Sequence, residues 1–343
     1  MIHRPSPDWF ERLTGFRETA YDETRERLMV TGDRLLSLVN GRHFGIGYLE
    51  LAKLSDLRQR VAAKGRSARR LRVRAVSGDA RELHQEPELA GALFQVASQF
   101  NMLEMTGPDR TPEHGVTGYA FDRTQGPACA IAAGAATIYR NYFVPIGSVI
   151  GQRGTKQLDG LEYVGTELAR ALGTTVDALW TMRNGYACAT ATGLERINTY
   201  LATLSPEQFD DLRGRLQIGV QWNVEVTDAE QDPLPVVTQA FCSALPVAYT
   251  SLPAARWEPF ARLVLEAAYE ATLWAGVCNA RARGSNIVLL TFVGGGAFGN
   301  DEDWIHAAIR RALQCASGFD LDVRLVCYGA PPESVTRFVR EFE

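Results

Sequence analysis

Apolar positions in the second half of the chain fall into two alternating rhythms. Val236 to Val247 is a nearly continuous apolar run, broken at Pro246, which predicts a buried strand. Phe260, Leu263, Val264, Ala267, Ala268 and Ala271 then recur at helical spacing, the stripe of a helix laid on a sheet. Asn286 to Val293 is apolar again. Trp304, Ile305, Ala308, Ile309, Ala312 and Leu313 form a second helical stripe, and Val323 to Tyr328 reads as a closing strand. The succession strand, helix, strand, helix, strand predicts a three-layer α/β fold, a mixed sheet flanked by helices with right-handed crossovers.

The first half is less regular. Short β-like runs at Leu28 to Thr31 and Leu35 to Val39 are punctuated by Thr31-Gly32-Asp33 and Asn40-Gly41, which are hairpin signals. A polar helix is predicted from Ser55 to Lys64, then a joint at Gly65-Arg66-Ser67 and a strand from Leu71 to Val76. Phe94 to Asn101 fits a strand or the end of a helix. Pro127 suits the first turn of a helix that runs through Ala128 to Ile138 and on to Phe143. The stretch 146–215 reads as mostly helical, with helices at Leu161 to Leu172 and Pro206 to Leu212, and Leu216 to Val226 alternates as a half-exposed strand. The expected organisation is an N-terminal extension, 1–66, whose β-hairpins pack on the core, followed by one domain, 67–343, with a helical insertion at 146–215.

Composition narrows the function classes. With 343 residues, 46% hydrophobic and 22% charged, the chain is an ordinary globular protein, and a net charge of −4 argues against nucleic acid as a partner. No stretch approaches the roughly 20 apolar residues that span a bilayer, and Met1 to Pro5 lacks a signal-peptide pattern. A cytoplasmic protein with no membrane partner is expected, a secreted effector being the other option. The six cysteines are scattered without a C-x-x-C pair and the five histidines are dispersed, so buried thiols are expected and no metal site.

The most chemically informative stretch is Asn286 to Asn300. Its apolar run ends in four glycines within six positions and opens an acidic amphipathic helix. Glycines let successive backbone N–H groups point into one concavity, so a diphosphate can be held without side-chain charge. Gly294, Gly296 and Gly299 also satisfy the dinucleotide pattern G-x-G-x-x-G. That pattern is rejected here because Asp320 precedes the next strand instead of ending it, and only 44 residues follow Gly299.

The segment Val293 to Asp301, V-G-G-G-A-F-G-N-D, resembles the diphosphate loop of macrodomains, above all that of poly(ADP-ribose) glycohydrolases. The resemblance is specific over about Glu258 to Gly329. With the run Thr238 to Tyr249 and the N-terminal extension, the chain is most similar to the divergent macrodomain group of the Legionella MavL type, whose members remove ADP-ribose from arginine, notably on ubiquitin. The resemblance implies a macrodomain-like fold and a crevice for ADP-ribose at the carboxyl ends of the central strands. Gly294, Gly295, Gly296, Ala297, Gly299 and Asn300 would wrap the diphosphate, with Phe298 against the sugar beside the bond to be cut. Asp301, Glu302 and Asp303 would repel a phosphate placed on the helix axis, so the amides would bind from the side and the acids would act as caps.

The Gln-Glu-Glu motif of poly(ADP-ribose) glycohydrolases is absent. Cleavage at the distal ribose builds oxocarbenium character and calls for a carboxylate. Two frames supply one. In the first, Asn101 holds the distal ribose, Asp122, Gln125 and Gly126 form the catalytic loop, and Ser243 to Tyr249 lies beside the ribose. In the second, Asn223 ends a strand, Glu225, Asp228 and Asp232 supply the acids, and Gln239 lies beyond. The sequence leans to the second for its acids. Phe94, Phe100, Tyr119 and Phe121 are the aromatic candidates for adenine. The expectation is an ADP-ribosylhydrolase that needs no metal or cofactor and acts on an ADP-ribosylated protein, arginine-linked and with ubiquitin as one target. A non-catalytic ADP-ribose reader and an NAD-consuming transferase are the rivals.

Overall fold

The computed structural model describes residues 6–63, 65, 70–282 and 284–342. The expected joint at 65–67, and with it the boundary at 66, falls largely outside them. The chain opens with helix α1 (Trp9–Thr14), capped by Asp8, and α2 (Tyr21–Glu26). The strands β1 (Leu28–Thr31), β2 (Arg34–Ser37) and β3 (His43–Gly45) form an antiparallel meander, as the turn signals predict. Then come β4 (Tyr48–Lys53), α3 (Leu54–Ala62), β5 (Arg72–Ser77), the short α4 (Ala80–Leu83) and β6 (Leu93–Ala97). The ambiguous Phe94 segment is therefore a strand.

The predicted helix after Pro127 is two helices, α5 (Gln125–Ala132) and α6 (Gly134–Tyr142). Ala133 leaves helical geometry at φ −111°, ψ 55°, and the broken ladder is patched by side chains: Thr137 Oγ1 donates to Ala130 O at 2.7 Å, and Gly134 N donates to Thr227 Oγ1 at 2.8 Å. The 146–215 stretch holds more than helices. A ladder of β7 (Pro145–Ile146) with β8 (Val149–Ile150) leads to α7 (Glu162–Ala171), a hairpin of β9 (Trp180–Arg183) and β10 (Tyr186–Ala189), α8 (Ala191–Leu201) and α9 (Pro206–Gly214). Ser205 and Gln208 form a capping box on α9, with Pro206 at its first position. The remaining elements are β11 (Gln217–Glu225), β12 (Val236–Cys242), α10 (Ala254–Arg281), β13 (Ile287–Leu290), α11 (Glu302–Ala316), β14 (Asp322–Cys327) and α12 (Glu333–Arg340).

Seven strands make the central sheet, in the order β4-β11-β12-β6-β13-β14-β5. From β12 to β5 all pairs are parallel, whereas β11 is antiparallel to both β12 and β4. One face is covered by α3, α10 and α11, with α7 to α9 packed beyond; the other is covered by α5 and α6, on which α1 and the β1–β3 meander sit. This is the three-layer, helix-flanked mixed sheet expected from the alternation in the sequence. The 1–66 segment contributes more than hairpins on the core: β4 pairs Tyr48 to Lys53 against Trp222 to Gln217 and covers the otherwise open edge of β11. Helix α10 is buried along most of its 28 residues, as a helix apolar on several sides must be. Among the described residues no helix is long and apolar enough to cross a membrane.

Candidate active site

The cleft opens where β6 and β13 part. They pair only at Leu93 with Val288 and Phe94 with Leu289, although β6 continues to Ala97 alongside β12. Past that fork, the start of α5 and the chain leaving β13 form facing walls. Ala97 N donates to Gln125 Oε1 at 2.8 Å and Gln125 Nε2 donates to Gln95 O at 3.0 Å, so the Gln125 side chain takes the place of a neighbouring strand.

The opposite wall is the glycine-rich loop. Gly294, at φ 85°, and Gly299, at φ 69°, occupy the left-handed region, and a Cβ on Gly294 would lie 2.4 Å from Cβ of Ala244. The loop is closed by Asn300 N donating to Gly294 O (2.9 Å) and Gly299 N donating to Gly296 O (3.0 Å), and docked by Ala248 N donating to Phe298 O (2.9 Å). Asn300 is buried and donates to Leu245 O at 2.8 Å. Among the described residues, the amides of Gly296, Ala297 and Phe298 have no protein acceptor. Asp301 caps α11, its side chain accepting from Asp303 N at 2.8 Å, so of the three acids at that terminus the first acts as the cap.

Three chambers adjoin. The central one, about 160 Å³, is lined by Ala97, Gln99, Glu104, Asp122, Gln125, Gly126, Tyr186, Tyr249 and the loop residues Gly294, Gly296, Ala297 and Phe298. Tyr186, Tyr249 and Phe298 form an aromatic cluster with ring centroids 5.1 to 5.6 Å apart. On the β14 side lies a chamber of about 230 Å³, with Asp79, Thr291 and Tyr328 in its lining; the Tyr328 ring is 90% exposed and the Thr291 hydroxyl is buried without a partner. On the other side lies one of about 430 Å³, lined by Arg110, His114, Phe121, Asp122 and Arg123. Among the described residues, Arg110 and Arg123 form no ion pair, and Phe121 is 88% exposed.

The first frame of the sequence reading is largely assembled: Asp122, Gln125, Gly126, Phe298 and Tyr249 meet in one cleft. Asn101 is not in it. It is fully buried behind the wall, donating to Gln157 Oε1 at 2.8 Å and accepting from Leu103 N at 3.1 Å. Ser243 is buried beside the cleft, and Ala244 takes the lining position. The second frame is not assembled. Because β11 is antiparallel to β12, its end lies beside Val236, at the start of β12 and the far edge of the sheet. There Glu225 accepts from Gly45 N (2.7 Å) and Arg34, and Asp228 is held bidentately by Arg81 at 2.6 and 2.8 Å. Asp232 is exposed on the loop beyond, and Asn223 is an exposed bulge residue at φ 57°. Gln239 is buried within the sheet and donates to Cys129 O at 2.9 Å. Of the adenine candidates, Phe94, Phe100 and Tyr119 are core; Phe121 alone is exposed.

Sequence reasoning missed Tyr328, Tyr186 and Glu104. Tyr328 had a signal, a large aromatic directly after a parallel strand, whereas Tyr186 arrives from the hairpin inside 146–215 and had none. Glu104 is fully buried, and loss of water pushes its carboxyl up to about 7 against the pull of Arg140, whose Nη2 lies 3.3 Å away.

No family model matches the sequence, and no curated protein matches it. Among solved structures, the poly(ADP-ribose) glycohydrolase of Deinococcus radiodurans in complex with ADP-ribose is similar with a TM-score of 0.45 and 12% identity, covering 85% of this chain and 93% of that one. The poly(ADP-ribose) glycohydrolase of Thermomonospora curvata gives a TM-score of 0.45 and 14% identity, covering 94% of this chain and 96% of that one. Bound to the inhibitor ADP-HPD, the Thermomonospora protein gives 0.43 and 15% over the same shares.

Proposed function

We propose that the protein is an ADP-ribosylhydrolase that cleaves the glycosidic bond at the distal ribose of an ADP-ribosylated protein, without a metal or organic cofactor. The observation that carries this is the glycine-rich loop, whose Gly296, Ala297 and Phe298 amides find no acceptor among the described residues and border a chamber in whose described lining there is no cation. Such an arrangement suits a diphosphate held by backbone alone. Adenosine would extend into the chamber with Tyr328 and Asp79, and the distal ribose would lie against Phe298 and Tyr249 near Asp122. Asp122 is then the carboxylate at the reacting carbon. As the bond from the anomeric carbon to the leaving atom breaks, a water adds there, Asp122 takes one of its protons, and that proton passes on to the leaving atom, which restores the carboxylate.

The finer reading, arginine as the linked residue and ubiquitin as one carrier, rests on the resemblance of the chain taken whole, with the run Thr238 to Tyr249 and the N-terminal extension, to the MavL-type group. A second reading has a specific observation in its favour. Arg110 and Arg123 line the chamber beyond Asp122, where the leaving group would lie, Arg123 also bordering the β14-side chamber; among the described residues neither guanidinium is in an ion pair, and two such groups suit an anionic leaving group better than another guanidinium. Comparing turnover of arginine-linked ADP-ribose and of ADP-ribose polymer decides between them.

Calorimetric titration with ADP-ribose tests the central reading. A Cβ on Gly296 meets nothing within 4 Å, so Gly296→Glu is expected to fold normally while its carboxylate excludes the diphosphate. Micromolar binding by the wild type, lost in the variant, is the expected result; a folded wild type that binds no ADP-ribose would sink the proposal.

A further inference from the structure

Behind the glycine-rich loop lies a set of buried side chains that do not themselves line the cleft but bond to the backbone of residues that do. Tyr269, on α10, is fully buried, and its hydroxyl donates to Thr291 O at 2.7 Å while accepting from Val293 N at 2.9 Å. One phenol thus ties together the two backbone groups flanking Phe292, where the chain leaves the sheet. Gln95, on β6, is buried as well. Its Oε1 accepts from Thr291 N at 3.1 Å, and its Nε2 donates to Thr272 Oγ1 on α10 at 3.1 Å.

These bonds sit where the sheet forks. Ser98 N donates to Cys242 O on β12, so by strand alternation Ala97 N and Gln95 O face β13, which has already turned away. Thr291 N, Thr291 O and Val293 N are the corresponding groups left without a strand on the other side. A buried backbone group cannot stay unpaired. Gln125 serves the β6 side of the fork, while Gln95 and Tyr269 serve the β13 side.

We infer that Tyr269 and Gln95 are positioning residues for the anion loop: they fix the exit of β13 and so hold the free amides of Gly296, Ala297 and Phe298 in the arrangement that receives a diphosphate. The inference rests on the ADP-ribose reading for its ligand, although its mechanical content does not. Two backbone bonds depend on one hydroxyl, and a third on one amide oxygen. Neither side chain can be replaced by water, since Tyr269 is sealed beneath the sheet and Gln95 lies within it.

The test uses Tyr269→Phe and Gln95→Leu, which keep the bulk and remove the bonds. Calorimetry with ADP-ribose and backbone amide exchange are measured on the wild type and on both variants. Each variant is expected to bind about tenfold or more weakly, with faster exchange over Gly294 to Asn300 and unchanged exchange over Asp322 to Cys327 in β14. If either variant does not fold, the other decides. Should the wild type bind no ADP-ribose, the functional reading fails, while exchange still decides positioning: a loosened loop supports it. Unchanged loop exchange in the folded variants overturns the inference whatever the affinities, as does exchange that rises uniformly through the protein, which marks a merely structural role.

Discussion

Gly126 has no room for a side chain: a Cβ there would lie 2.0 Å from the carbonyl oxygen of Ala97. The start of α5 presents the cleft with Gln125, Gly126 and Pro127, none of them an acid, and position 126 has no room for one. Two carboxylates line the central chamber, Asp122 and Glu104, and the second is sealed from solvent against Arg140. For the proposed reaction the candidate is then Asp122, braced by Thr124 N donating to its Oδ1 at 2.8 Å. In Asp122→Asn, kcat is expected to fall by about 10²- to 10⁴-fold with ADP-ribose affinity retained, read from single-turnover release and calorimetry. An Asn variant with wild-type turnover would remove Asp122 from the chemistry. The loop glycines were legible in the sequence because they stand in a local motif, whereas Asp122 stands in none and competes there with the acids of the second frame, to which the sequence leans. Glu225, Asp228 and Asp232 misled because alternation along a strand reveals its faces but not its direction, and β11 runs the other way.

At the level of elements, α4, β6 and β12 meet around His84. The ring stacks on Phe94 at 3.8 Å between centroids; Nδ1 donates to Ala80 O at 2.6 Å, and Nε2 accepts from Gln239 Nε2 at 3.0 Å. A proton on Nε2 would face another N–H, and burial lowers the pKa from 6.5 to about 4. A depressed pKa means that the unfolded chain binds the extra proton first. Stability from this residue is thus complete above pH 6.5 and is lost as pH falls toward 4, by about 3 kcal/mol. Because Glu104, raised to about 7, gains stability over the same window, the contrast with His84→Phe carries the test: the wild-type urea midpoint should fall relative to that of the variant as pH drops from 6.5 to 4, and parallel curves would refute the assignment. The elements most legible in the sequence were those with long periodic stripes, such as α10 and α11. The break at Ala133 was not legible, because the patching groups Thr137 and Thr227 become neighbours only in the fold.

For the whole molecule, the helical layer is tied by a charge network that joins α3, α9, α10 and α11. Glu270, 2% exposed, accepts from Arg58 at 2.6 and 2.8 Å, from Arg311, and from Trp274 Nε1 at 2.9 Å, while Asp210 bridges Arg58, Arg213 and Arg311. Removing the buried acid leaves Arg58 and Arg311 with Asp210 as the carboxylate they share, and leaves Trp274 Nε1 without its acceptor. Glu270→Ala is expected to cost about 2 to 3 kcal/mol, read by urea denaturation, and a loss below about 1 kcal/mol would show the network to be a surface-like pairing.

The strand order has a consequence for synthesis. Three of the seven strands, β4, β5 and β6, come from the first hundred residues, and no two of them are neighbours in the sheet. Both partners of β6 begin much later, at Val236 and Ile287. At ribosomal speeds of about 5 to 20 residues per second, the apolar strand Leu93–Ala97 stands unpaired for roughly ten seconds before β12 emerges. The nascent chain therefore carries an apolar segment without its sheet partners through the middle of its own translation.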